Sequence, residues 1–369
     1  MGKSKVTDEK FPSEYDSDRS LVEGVDDDTE QDSVSKESYS ILSYGADYTI
    51  DSLVKRVETG SFIVPEFQRR YIWSKAHASR FIESLLMGLP VPGIFLYKRP
   101  EDGKHLVIDG QQRLRTVHSF YKGILRENKF RLTSVRSPWN GKTYDELDVD
   151  DQLRLDDSII HAIIFSQENP KDTIDSIHFV FERINSGGIR LSPQEIRNCI
   201  AEGYFTDLTH ELNEHKSWRQ MYGKTSLRSK DQELVTRVLA FFESGEEYEK
   251  PMATFLTKFT KKMNNASPDK LAALKKAFEQ TSDLCWYALG SKAFRPSRAL
   301  NAAVLDSTMS ELAKRLQQQK PPPTSSLVKS AYDKLLSSDE FRSGWERSTA
   351  DEEAVKVRMA EARKAFSKL

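Results

Sequence analysis

The chain has 369 residues, a net charge of -1, 30% charged and 38% hydrophobic side chains. That length exceeds the roughly 250–300 residues at which a single core stops growing, so more than one domain is expected, and the balanced charge hides any local basic site. Two cysteines outside any CxxC (Cys199 and Cys285) and seven histidines without an HExxH or HxxxH pair argue against a disulfide framework and a structural zinc. The N-terminus lacks an apolar core, and no run approaches the roughly 18 apolar residues of a membrane span, so a reducing, cytoplasmic setting without membrane contact is expected.

In chain order, residues 1–40 are crowded with Asp, Glu and Ser (VDDDTEQDSVSKES) and too poor in large apolar groups to offset chain entropy, which reads as a disordered acidic tail. Order is expected to begin near YTIDSLVKRVETGSFIV. Asp51 is placed to cap a helix with Leu53, Val54 and Val57 on one stripe, Gly60 closes it, and Phe62, Ile63 and Val64 start a strand. SKAHASRFIESLLMGLPVPG reads as a helix capped by Ser74, with Phe81, Ile82, Leu85 and Leu86 facing a core and Gly88, Pro90 and Pro92 stopping it. IFLY and HLVI flank an Asp-Gly turn as a hairpin, and the following helix carries Leu114, Val117, His118 and Tyr121 on one face. His118 on that stripe reads as a hydrogen-bonded core histidine rather than a catalyst. IIHAIIF is a strand by its β-branched density, and beyond residue 172 the pattern is helical, SPDKLAALKKAFEQTSDLCWYAL being the clearest amphipathic segment. KPPPTSS at 320–326 continues no helix and reads as a linker. The expected organisation is a tail over 1–40, a mixed α/β domain over 45–200, a helical domain over 201–319 and a C-terminal helical segment over 327–369.

Three constellations carry more than folding signals. In DGQQR, an N-cap at Asp109 and a positive φ at Gly110 need no function, but Gln111, Gln112 and Arg113 occupy the first helical turn, where an arginine opposes the helix dipole. An anion bound there resolves that conflict: Gly110 admits a phosphate, Arg113 forks onto its oxygens, and the two amides orient a base, a ribose or a water. A plain folding turn is the competing reading. VPEFQRRYIW interleaves Arg69 and Arg70 with Phe67, Tyr71 and Trp73, which suits base stacking and phosphate pairing, or equally a strand edge with inward aromatics. In FVFERINSGGIRLSPQEIRNC, Gly187 and Gly188 end one helix, while Ser192, Pro193 and Glu195 form the cap of the next. Arg183 and Asn185 beside the glycine pair are left over, next to what resembles an anion nest.

Together, in this order and spacing, VPEFQRRYIW, FIESLLMGLPVPGIFLY, IDGQQRLRTVHSFYKG, FERINSGGIRLSPQEIRN and RSKDQELVTRVLAFF resemble the DGQQR family (domain of unknown function 262), found at the N-terminus of GmrSD-type modification-dependent restriction enzymes. The resemblance spans about residues 45–245. It implies an α+β architecture, with a ParB/sulfiredoxin-like α/β domain preceding the helical domain, and a nucleotide-binding, NTP-hydrolysing module of a bacterial anti-phage system. Carried over residue by residue, it places Asp109, Gln112 and Arg113 in catalysis, Gln68, Arg69, Gly110 and Gln111 at the nucleotide, and Asn185, Gly187 and Gly188 beside it. Phosphate chemistry adds Mg²⁺, held at Asp109. Many members carry a C-terminal HNH-type nuclease, whereas no histidine follows residue 245 here, so a separate effector protein is expected rather than a stand-alone nuclease. Non-catalytic binding of DNA, including modified DNA, is the alternative reading.

Overall fold

The computed structural model describes residues 22–23, 40–64, 71, 73–100, 102–169, 192–201, 203–226, 228–318, 320–346 and 348–369. Most of the acidic stretch over 1–40 lies outside them. The chain divides into two compact units, one of residues 36–191 and one of residues 192–369 together with 1–35.

The first unit is built on a mixed five-stranded sheet. In chain order its elements are β1 (Ser40–Thr49), α1 (Ile50–Glu58), β2 (Phe62–Ile63), α2 (Lys75–Leu86), β3 (Ile94–Lys98), β4 (His105–Asp109), α3 (Gln111–Tyr121), the small hairpin β5 (Ile124–Leu125) and β6 (Asn128–Lys129), α4 (Val149–Asp156) and β7 (Ile159–Asn169). The strand order is β1-β7-β3-β4-β2, with β1/β7 and β3/β4 antiparallel and β7/β3 and β4/β2 parallel. Alternation assigns one sheet face to the core: Ile94, Leu96, Val107, Ile160, Ala162 and Ile164 share a cluster with Leu53 and Val54 of α1, Phe81, Ile82, Leu85 and Leu86 of α2, and Leu114, Val117 and Phe120 of α3. The last three are essentially inaccessible. Their burial stabilises the seat of α3 by roughly 5–9 kcal/mol before entropy is counted.

Most local expectations hold here, with physical reasons for the exceptions. The hairpin is closed by Arg99 and Lys104, with Asp102 accepting from the Lys104 N–H at 3.1 Å. Ser74 caps α2 by accepting from the His77 N–H at 3.2 Å. Asp51, however, does not cap α1. Thr49 does, accepting from Ser52 N at 3.4 Å, and Asp51 instead pairs with Lys55 one turn on at 2.8 Å. His118 is only half-buried, because the core stripe of α3 runs through Leu114, Val117 and Phe120. Burial holds its imidazole below the usual histidine range, with Lys122 adding to the effect and Glu58 opposing it. The sheet also begins earlier than expected, since β1 pairs with β7 in register from Thr49↔Ile159 back to Ile41↔Gln167.

The second unit is helical: α5 (Pro193–Ile200), α6 (Tyr204–Asn213), α7 (Lys216–Tyr222), α8 (Lys230–Ser244), α9 (Met252–Asn264), α10 (Pro268–Leu289), α11 (Ala302–Leu316), α12 (Ser325–Leu336), α13 (Asp339–Glu346) and α14 (Glu352–Phe366). The Ser192 cap, Pro193 at the first position and the reciprocal Glu195 bond are all present, as is the Ser267 cap of α10. After the prolines at 321–323, α12 to α14 pack into the same core as α8 and α11. A fully buried ion pair, Arg358 with Asp306 at 3.1 Å, joins α14 to α11. A sheeted unit and a helical unit make the chain α+β. No helix among the described residues is long and apolar enough to cross a membrane.

Candidate functional site at the amino end of α3

The C-terminus of β4 delivers Asp109 directly to the helix that follows. Asp109 is not the cap; Gly110 is, with φ +100°. A Cβ at position 110 would also lie 2.9 Å from Ile94 Cβ and 3.3 Å from Ile94 Cα on the neighbouring strand. Only glycine satisfies both constraints, so β3 fixes the exit of β4 and hence the aim of the helix tip.

The first turn of α3 carries no acidic residue, and its leading N–H groups have no acceptor within the helix. Arg113 sits in that turn. Its Nη2 donates to Asp109 Oδ2 at 2.6 Å and to the Gly93 carbonyl at 2.9 Å. The arginine side chain is 15% exposed and the aspartate 44%, so the cation is inside and its counter-ion faces outward. This pair answers the conflict between arginine and helix dipole from within the motif: the carboxylate just ahead of the helix compensates both. Among the described residues, Arg113 Nε is buried without a partner, and Asp109 bonds through Oδ2. Gln111 is 8% exposed, and its Nε2 also lacks a partner among them. A buried donor left unmade costs free energy, and two such donors within one helical turn make this turn the candidate site.

Gln112 faces the stretch that enters α2. Its Oε1 accepts from Trp73 N at 3.4 Å, and its carbonyl accepts from Thr116 Oγ1 at 2.6 Å, while Thr116 Oγ1 and the Tyr71 hydroxyl lie 2.7 Å apart. Trp73 packs edge-on against Phe81 and Tyr71 is half-buried, so these two aromatics pack inward. The end of VPEFQRRYIW and the DGQQR turn are therefore brought together. Phe67, Gln68, Arg69 and Arg70 lie outside the described residues, as do Arg183, Asn185, Gly187 and Gly188.

Three groups of this neighbourhood escape sequence reasoning. Gly93 supplies a carbonyl to Arg113 and approaches β7 so closely that a Cβ would stand 2.7 Å from His161 O. Its signal was the Pro-Gly break before β3. Thr116 and Arg126 carried none. Among the described residues no three His, Cys, Asp or Glu side chains converge to hold a metal, so the Asp109 carboxylate suits only a cation that brings its other ligands with it.

Comparison with known families matches residues 50–202 to the GmrSD restriction endonuclease, N-terminal domain. The match runs from the first residue of α1, across β2, β3, β4, the α3 turn and β7, to just beyond α5. Comparison with curated proteins finds no match. Over residues 50–202, this chain is therefore similar to the N-terminal domain of the GmrSD restriction endonuclease.

Proposed function

We propose that this chain binds a nucleoside triphosphate at the amino end of α3 and hydrolyses it, within the restriction-type anti-phage setting to which its GmrSD N-terminal domain points. The observation that carries this reading is the convergence of Asp109, the Arg113 guanidinium and the buried Gln111 amide, whose Nε2 has no partner among the described residues, on one left-handed strand-to-helix turn. Phosphate oxygens placed there meet first-turn N–H groups and the positive dipole end. Arg113 uses only Nη2 in its bonds to Asp109 and Gly93, which leaves other donors of its fork for a phosphate. Gln112, anchored through Oε1, orients a water for attack on the terminal phosphorus. That attack forms a P–O bond, breaks the bridging P–O bond to the nucleoside diphosphate and releases inorganic phosphate and a proton. Mg²⁺ arriving on the phosphates would neutralise their charge, with Asp109 Oδ1 as its protein oxygen.

Phosphate release from ATP, GTP, CTP and UTP in the presence of Mg²⁺ tests this reading, with Asp109→Ala and Arg113→Ala as controls. The expected result is release by wild type and a loss of about a hundredfold to a thousandfold in each variant, the range for removing one charge-stabilising group. Equal release by all three proteins overturns it. Duplex DNA serves as the second arm: tight binding that weakens steeply with salt, unaffected by nucleotide, would favour the DNA-binding alternative. In the proposed setting the cleaving activity belongs to a separate effector chain.

A further inference from the structure

The β5–β6 hairpin breaks a rule of its own turn. Its two-residue connection is Arg126-Glu127, and both residues have positive φ, +48° and +67°. That backbone is the one that selects Asn-Gly, and long side chains adopt it at a cost that something else must offset. Here the offset is visible. Arg126 Nη2 donates to the Tyr71 carbonyl and, at 3.4 Å, to the Trp73 carbonyl, and the guanidinium stands 5.5 Å from the centre of the Tyr71 ring. The same two residues reach α3, Tyr71 through its hydroxyl to Thr116 and Trp73 through its N–H to Gln112 Oε1.

We infer that Arg126 is a positioning residue, which clips Tyr71 and Trp73 onto α3 and so sets the orientation of the Gln112 amide at the helix tip. This rests on the reading of that tip as the nucleotide site. The chain of contacts is Arg126 to the two carbonyls and Trp73 N–H to Gln112 Oε1, which holds the amide that the nucleotide reading assigns to the attacking water. Asn-Gly is the pair this backbone prefers, whereas this turn holds an arginine at positive φ whose bonds to Tyr71 and Trp73 run to another segment.

The discriminating variant is Arg126→Asn with Glu127→Gly, which gives the turn its preferred residues while removing the clip. Arg126→Lys keeps the charge and loses the forked donor. In the full-length protein, the unfolding midpoint of the double variant is expected to equal or exceed that of wild type. Amide exchange at Tyr71 and Trp73 should nevertheless quicken several-fold, and kcat for whichever of ATP, GTP, CTP or UTP wild type hydrolyses fastest should fall about tenfold, with KM changing less, because loss of a charge-assisted bond is worth about that factor. Arg126→Lys should fall between. Unchanged exchange and unchanged kcat in the double variant overturn the inference. Faster exchange with unchanged kcat overturns the link to Gln112. A wild type that releases no phosphate refutes the nucleotide reading instead, and the exchange measurement then still decides whether the clip exists.

Discussion

Gly110→Ala tests how the site is aimed. At φ +100° an alanine pays about 1–2 kcal/mol for the left-handed backbone. Its Cβ also lies 2.9 Å from Ile94 Cβ, which no rotamer of either residue relieves, and such overpacking adds about 1–3 kcal/mol. The two sum to about 2–5 kcal/mol of local destabilisation at the β4–α3 junction. Ile94→Ala alone loses a buried side chain, at about 2–5 kcal/mol, and removes Ile94 Cγ2, the atom nearest to that Cβ, while leaving Ile94 Cβ in place. In that background Gly110→Ala should keep the backbone cost and lose the Cγ2 part of the overpacking, so the double-mutant cycle should show a favourable coupling of up to about 1–3 kcal/mol. Native-state hydrogen exchange at Leu106, Val107 and Leu114 reads the energy where it acts. At about one tenfold change per 1.4 kcal/mol, Gly110→Ala should speed exchange between about thirtyfold and a few-thousandfold. Strict additivity with Ile94→Ala, or an acceleration below about threefold, would refute the claim that β3 holds the turn in place.

In the helical unit, Asp306→Ala should cost about 3–5 kcal/mol by leaving the fully buried Arg358 unpaired, whereas Asp306→Leu with Arg358→Met should be near neutral; exchange protection in α11 and α14 separates the two outcomes. Burial lowers the imidazoles of His105, His118 and His210 below the usual value of 6.5. The unfolded chain then binds more protons near and below that value, so stability should fall as pH drops through about 6.5, and His105→Gln with His118→Gln should flatten thermal midpoints measured from about pH 8 to about pH 5.5. Complete burial pushes the Cys285 thiol up to about 12. It should resist iodoacetamide at about pH 8 in the native protein and react only on unfolding, as peptide mass spectrometry would show.

Much of the first unit was legible because its signals are local. The Ser74 cap, the Asp-Gly hairpin and the β-branched run of β7 each depend on a few adjacent residues, and each appears where its residue types place it, as does the Ser192 cap in the second unit. β1 was not read, although Leu42, Tyr44, Ala46 and Tyr48 alternate. Gly45 and the neighbouring Ile41 blur the period, and the strand is secured by pairing with β7, more than a hundred residues away. At the site, the sequence pointed to the turn and to Arg113 as the residue out of place. It could not show that the arginine's counter-ion is Asp109 of the same motif, nor that a carbonyl at Gly93 and a clip from Arg126 complete the frame, since those contacts depend on tertiary geometry.

The most direct measurement is an experimental structure with a non-hydrolysable nucleoside triphosphate analogue and Mg²⁺ at saturating concentration. The expected density places phosphate oxygens within hydrogen-bond reach of the Arg113 guanidinium and the first-turn N–H groups of α3, with the cation against Asp109 Oδ1. Density for the analogue elsewhere, or none, with Arg113 still held only by Asp109 and Gly93, would contradict the assignment of this helix tip as the site of chemistry.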